Sequence, residues 1–124
     1  MYELSVKMHF SAAHHLSGYD GKCADMHGHN WEIEVFVTGE KLNGIGILVD
    51  FRLLKEMVKE ILGELDHADL NMLDSFKTAN PTSENIARFV CDGLSNKIKN
   101  IGCRVSRVLV RETPETSASY TPEQ

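Results

Sequence analysis

The chain has 124 residues, of which 42% are hydrophobic and 25% charged, and its formal net charge is −5. These values predict one globular domain, residues 1–124, that is large enough to bury a core of its own. The acidic balance and the lack of a Lys/Arg cluster argue against nucleic acid as a partner. No apolar run is long enough to cross a membrane. Residues 1–6 carry neither a basic leader nor a long apolar stretch, so we expect a cytoplasmic protein.

Alternating apolar and polar residues predict two strands in the first third of the chain. In residues 2–14 the apolar side chains stand at every even position, from Tyr2 to Ala12. A second alternation places Trp31, Ile33, Val35 and Val37 on one face, and Gly39 follows as a turn residue. A period of two is typical of a strand that buries one face.

Two amphipathic helices follow. From about Arg52 to Leu65 the apolar residues recur at the spacing of one helix face. The second helix has a clear beginning, because Thr82 after Pro81 is suited to cap it and Glu84 lies in its first turn. We expect this helix to end near Gly102.

The last part of the chain predicts a long strand from Arg104 to Glu112 and a short one from Ser117 to Thr121. Two strands, two helices and two strands indicate an α+β fold, with the helices on one face of a four-stranded antiparallel sheet. A sheet this small has two free edges, which favours oligomerisation through strand pairing.

Three histidines are candidate metal ligands. Side chains two residues apart on a strand point to the same side, so His27 and His29 present their rings together. His14 continues the even, apolar positions of the first strand, and His27 and His29 continue the odd, apolar positions of the second. Three imidazoles and an open fourth position are typical of catalytic zinc. Copper, nickel and iron also accept nitrogen ligands, and a chance His-x-His pair is the alternative.

Three further residues are candidates for proton transfer. Cys23, four residues before His27, is either a base or nucleophile with a lowered pKa or a fourth metal ligand, and the spacing does not separate these roles. His67 suits proton transfer near neutral pH, although an exposed histidine is more often only solvated. Asp66 can orient the His67 ring or relay a proton, but consecutive residues rarely bond side chain to side chain.

Two glutamates are candidates for substrate binding. Glu112 ends the apolar face of the third strand and is either a surface residue or a recognition group. Its two oxygens suit the parallel N–H donors of a 2-aminopyrimidinone ring. Glu84 can do the same, although a favourable charge in the first turn of a helix is a sufficient role for it.

Several ordered motifs together resemble one enzyme family over nearly the whole chain. They are Phe10-Ser11-Ala12-Ala13-His14, Cys23-Ala24-Asp25-Met26-His27-Gly28-His29, Leu65-Asp66-His67, Pro81-Thr82-Ser83-Glu84-Asn85 and Glu112-Thr113. The chain resembles the 6-pyruvoyl-tetrahydropterin synthase family. Its Cys-x-x-x-His-Gly-His spacing is similar to that of the 6-carboxytetrahydropterin synthases of the queuosine (7-deazaguanine) pathway.

The resemblance implies a tunnelling fold, in which subunits close their four-stranded sheets into a barrel and two trimers form a homohexamer. It implies that zinc is bound by His14, His27 and His29. It also implies that Cys23 is the catalytic thiol, and that Asp66 and His67 assist it from a neighbouring subunit. The pterin is expected to be anchored by Glu112, in a pocket lined by Thr82, Ser83 and Glu84.

The implied reaction converts 7,8-dihydroneopterin triphosphate to 6-carboxy-5,6,7,8-tetrahydropterin, with release of acetaldehyde and triphosphate. One alternative on the same scaffold is 6-pyruvoyl-tetrahydropterin synthesis, which eliminates triphosphate without cleaving the carbon chain. An alternative of another class is a non-catalytic zinc-binding assembly module. The absence of a His-Glu-x-x-His motif argues against a generic zinc hydrolase.

Overall fold

The computed structural model describes residues 1–18, 21 and 25–123. The helices and strands, in chain order, are β1 (Tyr2–His14), β2 (His27–Gly39), α1 (Phe51–Gly63), α2 (Ser83–Lys97), β3 (Arg104–Thr113) and β4 (Thr116–Tyr120). Two short 3-10 turns, Leu70–Met72 and Asp74–Phe76, precede α2. Within this described part, neither helix has the length and apolar character that crossing a membrane requires.

The four strands form one antiparallel sheet in the order β1-β2-β3-β4. The β1–β2 register runs without a shift from Tyr2 opposite Gly39 to His14 opposite His27. Because every pair keeps its parity, the apolar positions of both strands share one face. The same register brings His14 beside His27 and places His29 opposite Ala12.

The core lies between the sheet and the two helices, which confirms the predicted α+β fold class. The central strand β2 supplies four side chains with no exposed surface: Trp31, Ile33, Val35 and Val37. The helix side chains that meet them fall at the predicted spacing. In α1 they are Leu54, Met57, Val58, Ile61 and Leu62, and in α2 they are Ile86, Ala87, Val90, Cys91 and Leu94.

The predicted cap of α2 is confirmed, because the Thr82 hydroxyl accepts a hydrogen bond from the Asn85 N–H at 3.1 Å. The helix ends differ from prediction. Helix α1 ends at Gly63, although Leu65 remains fully buried beyond it. Helix α2 ends at Lys97 rather than near Gly102. Gly102 has φ +90° and forms the turn before β3, a conformation that glycine adopts without strain.

Candidate metal centre

Four side chains converge at the end of the sheet where β1 stops and β2 begins. They are His14, His27, His29 and Glu112, and each offers a ligand atom within 4.8 Å of the others. The predicted convergence of the three histidines on the inner face is therefore present. His14 is 2% exposed, and the other three are partly buried. The site is thus backed by the core and open on one side.

Backbone carbonyls fix the orientation of two imidazole rings. The Nδ1 of His14 lies 2.7 Å from the Pro81 carbonyl oxygen, and the Nδ1 of His27 lies 2.7 Å from that of Asp25. A carbonyl only accepts, so each Nδ1 must carry the proton and donate it. In the neutral rings, each Nε2 is then left with a lone pair that points into the cluster.

The contacts inside the cluster are short and join acceptors to acceptors. His14 Nε2 lies 3.0 Å from His27 Nε2 and 3.0 Å from the Oε1 of Glu112. Lone pairs this close repel one another unless a cation, either a proton or a metal ion, lies between them. The three imidazole nitrogens therefore fit a divalent metal ion, and the Glu112 carboxylate lies beside them.

His29 supplies a separate observation in favour of a metal. Its Nε2 lies 2.6 Å from Glu112 Oε1 without hydrogen-bond alignment, and it is buried with no hydrogen-bond partner among the described residues. Burial lowers the pKa of His29, against the opposing effect of the Glu112 carboxylate. The neutral ring is thus favoured, and a neutral imidazole is the form that binds metal.

Trp31 forms the wall behind the cluster. Its ring stacks on Phe10 with a centroid separation of 5.8 Å, and it packs edge-on against His14 at 4.9 Å and His29 at 5.4 Å. The indole N–H donates to the Ala12 carbonyl at 3.3 Å. The tryptophan thus locks two of the three imidazoles against the sheet, as a precise ligand geometry requires.

Glu112 lies inside the cluster, which the sequence reasoning did not foresee. That reasoning assigned it to substrate recognition, and the structure brings its carboxylate into contact with all three imidazoles, at 2.6 Å for His29 and 3.6 Å for His27. Its position in β3, two residues after the buried Val110, indicates from the sequence that it lies on the inner face. It does not indicate contact with the histidines.

Asp66 and His67 lie at the outer edge of β1. The Asp66 Oδ1 accepts from the Ser11 N–H at 2.9 Å and lies 3.0 Å from His67 Nδ1. This contact is of the kind that lets Asp66 orient the His67 ring, although consecutive residues rarely make it. His67 has φ +58°. The His67 side chain is 81% exposed. It lines the same open surface depression as His29 and Gly28.

The hydrogen bond from the Ser11 N–H, followed by the charge of His67, lowers the pKa of Asp66. Asp66 is therefore an ionised partner for His67 at neutral pH, which is the state that orients an imidazole and stabilises its protonated form.

The three candidate pocket residues of α2 lie at its beginning. Thr82 and Ser83 are half-buried, and Glu84 is exposed in the first turn. Their link to the cluster is Pro81, whose carbonyl accepts from His14. Cys23 lies outside the described residues, so its predicted roles stay predictions.

The fold and the histidine and carboxylate cluster define a class of small α+β domain with a candidate metal site at one end of its sheet. Residues 3–123 match the family model described as 6-pyruvoyl tetrahydropterin synthase. The chain belongs to this family.

Individual relatives agree with that assignment. The chain is similar to the 6-carboxy-5,6,7,8-tetrahydropterin synthase of Bacillus subtilis (strain 168), with 32% identity over 99% of this chain and 87% of the relative. It is also similar to the 6-pyruvoyl tetrahydrobiopterin synthase of Dictyostelium discoideum, with 33% identity over 83% of this chain and 76% of the relative. Among solved structures, the Caenorhabditis elegans 6-pyruvoyl tetrahydropterin synthase superposes with a TM-score of 0.89 and 30% identity, covering 98% of this chain and 96% of that one.

Proposed function

We propose that the protein is a zinc-dependent lyase that converts 7,8-dihydroneopterin triphosphate to 6-carboxy-5,6,7,8-tetrahydropterin, releasing acetaldehyde and triphosphate. The observation that carries the proposal is the cluster of three imidazoles whose Nε2 atoms face one another around Glu112. The named activity of the Bacillus subtilis relative supports the 6-carboxy branch. This reaction would serve 7-deazaguanine (queuosine) biosynthesis. The free thiols of Cys91 and Cys103 support a reducing compartment, so we place the activity in the cytoplasm.

His14, His27 and His29 are the proposed zinc ligands. Zinc bound there supplies Lewis-acid chemistry, which acidifies side-chain hydroxyl groups of the substrate. The chain's part is to hold neutral imidazoles in fixed orientations, through the Pro81 and Asp25 carbonyls described above. Trp31 excludes water from the inner side of the site, because it is fully buried behind two of the rings.

Glu112 is the proposed anchor of the pterin ring. Its side chain is 29% exposed, so one part of the carboxylate is accessible from the open side of the cluster. A carboxylate pairs with the 2-amino group and the adjacent ring N–H of a pterin through two parallel hydrogen bonds. Thr82, Ser83 and Glu84 follow Pro81, whose carbonyl accepts from His14, and they are proposed to line the same pocket.

Cys23 and the Asp66–His67 pair are the proposed proton-transfer groups. Cys23 would remove and return protons at the side-chain carbons, while His67, oriented by Asp66, serves as the second acid and base. The contact between His67 Nδ1 and Asp66 Oδ1 supports the pairing. It leaves the exposed Nε2 of His67 free to face a substrate.

The position of His67 supports a site completed by a neighbouring subunit. His67 belongs to the segment that covers the outer edge of β1 at Ser11 and Ala13, and its side chain is largely exposed. β1 is an outer strand of the sheet. The other outer strand is β4. We propose that the part of β1 before Ser11 pairs with β4 of the next subunit to close a trimeric barrel, and that two trimers form a homohexamer. Such closure removes both exposed edges.

Mixed oligomers test the shared site. A Cys23→Ala variant and a His67→Ala variant are each expected to be inactive, because each removes one proton-transfer group from every site. Co-refolding the two at equal amounts is expected to restore a fraction of the activity, since some sites then combine an intact Cys23 with an intact His67. Restoration requires that the two residues come from different subunits, and its absence would place both in one chain.

Product analysis tests the reaction itself. The zinc-loaded protein is incubated with 7,8-dihydroneopterin triphosphate, the pterin is identified by mass spectrometry, and acetaldehyde is trapped. A 6-carboxy product with acetaldehyde supports the proposal. A 6-pyruvoyl product without acetaldehyde would instead assign the activity named for the Dictyostelium discoideum relative. Zinc binding without turnover in an intact oligomer would favour a non-catalytic assembly module.

A further inference from the structure

Beyond its pairing with β2, the last part of β1 is held along its outer edge by hydrogen bonds at alternate residues. Ser11 donates its N–H to Asp66 and accepts the His67 N–H, and the Ala13 N–H donates to the Ala68 carbonyl at 3.0 Å. Alternate residues of a strand present their backbone groups to the same edge. The segment after α1 therefore covers this edge next to the metal cluster.

Two asparagine side chains continue the same pattern past the end of the strand. Asn71 accepts the His15 N–H at 2.9 Å and donates to the His15 carbonyl at 3.0 Å. Asn80 accepts the Ser17 N–H at 3.0 Å and donates to the Ser17 carbonyl at 2.9 Å. Each side-chain amide thus satisfies both backbone groups of one residue, as a neighbouring strand would do. We call each such pair of hydrogen bonds a clasp.

The Asn80 clasp is continuous with the support of His14. Pro81 follows Asn80 directly, and its carbonyl accepts from His14 Nδ1 at 2.7 Å. The Asn80 backbone is itself tied to the start of α2, because its carbonyl accepts from the Asn85 side chain and from the Thr82 N–H, both at 2.8 Å. One rigid corner therefore holds the His14 ring and, through Asn80, the backbone three residues after it.

The hydrogen bonds of Asn71 lie on the same edge, between His14 and the residue that Asn80 holds. Asn71 holds His15, the residue next to His14, from the 3-10 turn Leu70–Met72. That turn is anchored in the core, since Leu70 is fully buried. The backbone on both sides of His14 is therefore hydrogen-bonded at every second residue, from Ser11 to Ser17, by groups that are distant in sequence.

We propose that Asn71 and Asn80 are positioning residues that fix the backbone of His14 and so set the geometry of the metal site. The inference rests on the metal centre of the proposed function. Groups that hydrogen-bond a metal ligand directly typically change metal affinity by about 10- to 100-fold when they are removed. Asn71 and Asn80 act through the backbone beside the ligand, so the lower end of this range is expected. A purely structural role would stabilise the fold and leave the metal site unchanged.

Asn80→Asp and Asn71→Asp make the sharpest test. Aspartate keeps the acceptor that the backbone N–H needs but places a second acceptor against the carbonyl, so the clasp is broken without loss of volume. Asn100→Asp is the matched control, because Asn100 is exposed and its side chain forms no hydrogen bond with the described residues. Metal-free wild-type and variant proteins are titrated with Co²⁺, whose visible absorption reports both affinity and ligand geometry.

We expect about a tenfold loss of Co²⁺ affinity in Asn80→Asp and Asn71→Asp, together with a changed Co²⁺ spectrum. Asn100→Asp is expected to match the wild type in both. Unchanged Co²⁺ affinity and an unchanged spectrum would overturn the proposal. A lower melting temperature of the metal-free variant, with these two properties unchanged, would indicate that the asparagine only stabilises the fold. Should Asn71→Asp not fold, Asn71→Ser shortens the side chain, removes these hydrogen bonds without adding a charge, and carries the same expectation.

The titration contains no pterin, so it separates this inference from the proposed reaction. A wild type that binds Co²⁺, with weakened variants, supports the positioning role even if no substrate is turned over. A wild type that binds no Co²⁺ overturns the positioning role together with the metal centre.

Discussion

Zinc should stabilise the metal-free protein against heat, and His29 should be essential for the effect. The ion removes the repulsion between facing lone pairs in the folded state, where His14 and His27 have their Nε2 atoms 3.0 Å apart. The unfolded chain does not hold these atoms together. Binding only the folded state at a free concentration of 100 times Kd contributes about 2.7 kcal/mol.

The size of the shift follows from the length of the chain. An unfolding entropy of about 2.1 cal/mol/K per residue gives about 0.26 kcal/mol/K for 124 residues. Dividing the binding contribution by this entropy predicts a rise in Tm of about 10 °C. Differential scanning calorimetry of chelated protein, with and without added Zn²⁺, measures the rise directly.

Two alanine variants locate the effect. His29→Ala removes the imidazole whose Nε2 has no hydrogen-bond partner, and it should abolish most of the rise. His9→Ala is the matched control, because His9 is exposed on the opposite face of β1, where its Nε2 lies 3.4 Å from the Oε1 of Glu32. The reasoning is refuted if His29→Ala gains as many degrees from zinc as the wild type, or if the wild type gains none.

Three further substitutions have defined outcomes. Thr82→Ala removes the acceptor of the Asn85 N–H and should lower the free energy of unfolding, measured by urea titration, by about 1 kcal/mol. Thr82→Ser keeps a hydroxyl and should retain most of this stability. An equal loss in both variants would exclude a capping role. Glu112→Gln should raise the KM for the pterin by about 10- to 100-fold, because it replaces a charge-assisted hydrogen bond by a neutral one. Its zinc content should be unchanged. Loss of zinc would show instead that Glu112 is a metal ligand. The pKa of Asp66 is lowered in the folded state, so its contribution to stability is complete above its usual value of 3.8 and is lost as the pH falls below it. Acid titration of Asp66→Asn, which keeps an oxygen for the Ser11 N–H, should therefore show less loss of stability below about pH 4 than the wild type, and identical acid profiles would contradict this account.

The strands and the shared face of the three histidines were predictable, because the alternation of apolar and polar residues within a single segment is enough to predict a strand and its buried face. Residues 2–14 alternate without interruption, and the strand has those bounds in the structure. Once both strands are known to bury one face, the parity of His14 and of the His27–His29 pair puts all three rings on that face. No knowledge of the pairing partner is needed for this step.

The rest of the site depends on contacts between distant parts of the chain. Glu112 meets His14 across 98 residues, and Asn80 meets Ser17 across 63. Asparagine is common in turns and loops, so the presence of Asn71 and Asn80 between the two helices does not by itself predict that their side chains hydrogen-bond a distant backbone. The pairing of Asp66 with His67 was offered from the sequence as one alternative, but no sequence feature predicted the left-handed backbone of His67.

Turnover of chelated and zinc-reconstituted protein tests the central claim most directly. The account predicts that 7,8-dihydroneopterin triphosphate is left unchanged by the chelated protein, and that 6-carboxy-5,6,7,8-tetrahydropterin and acetaldehyde appear as zinc is restored up to one equivalent per chain. Full activity in the chelated protein, or restoration by zinc in His29→Ala, would contradict it.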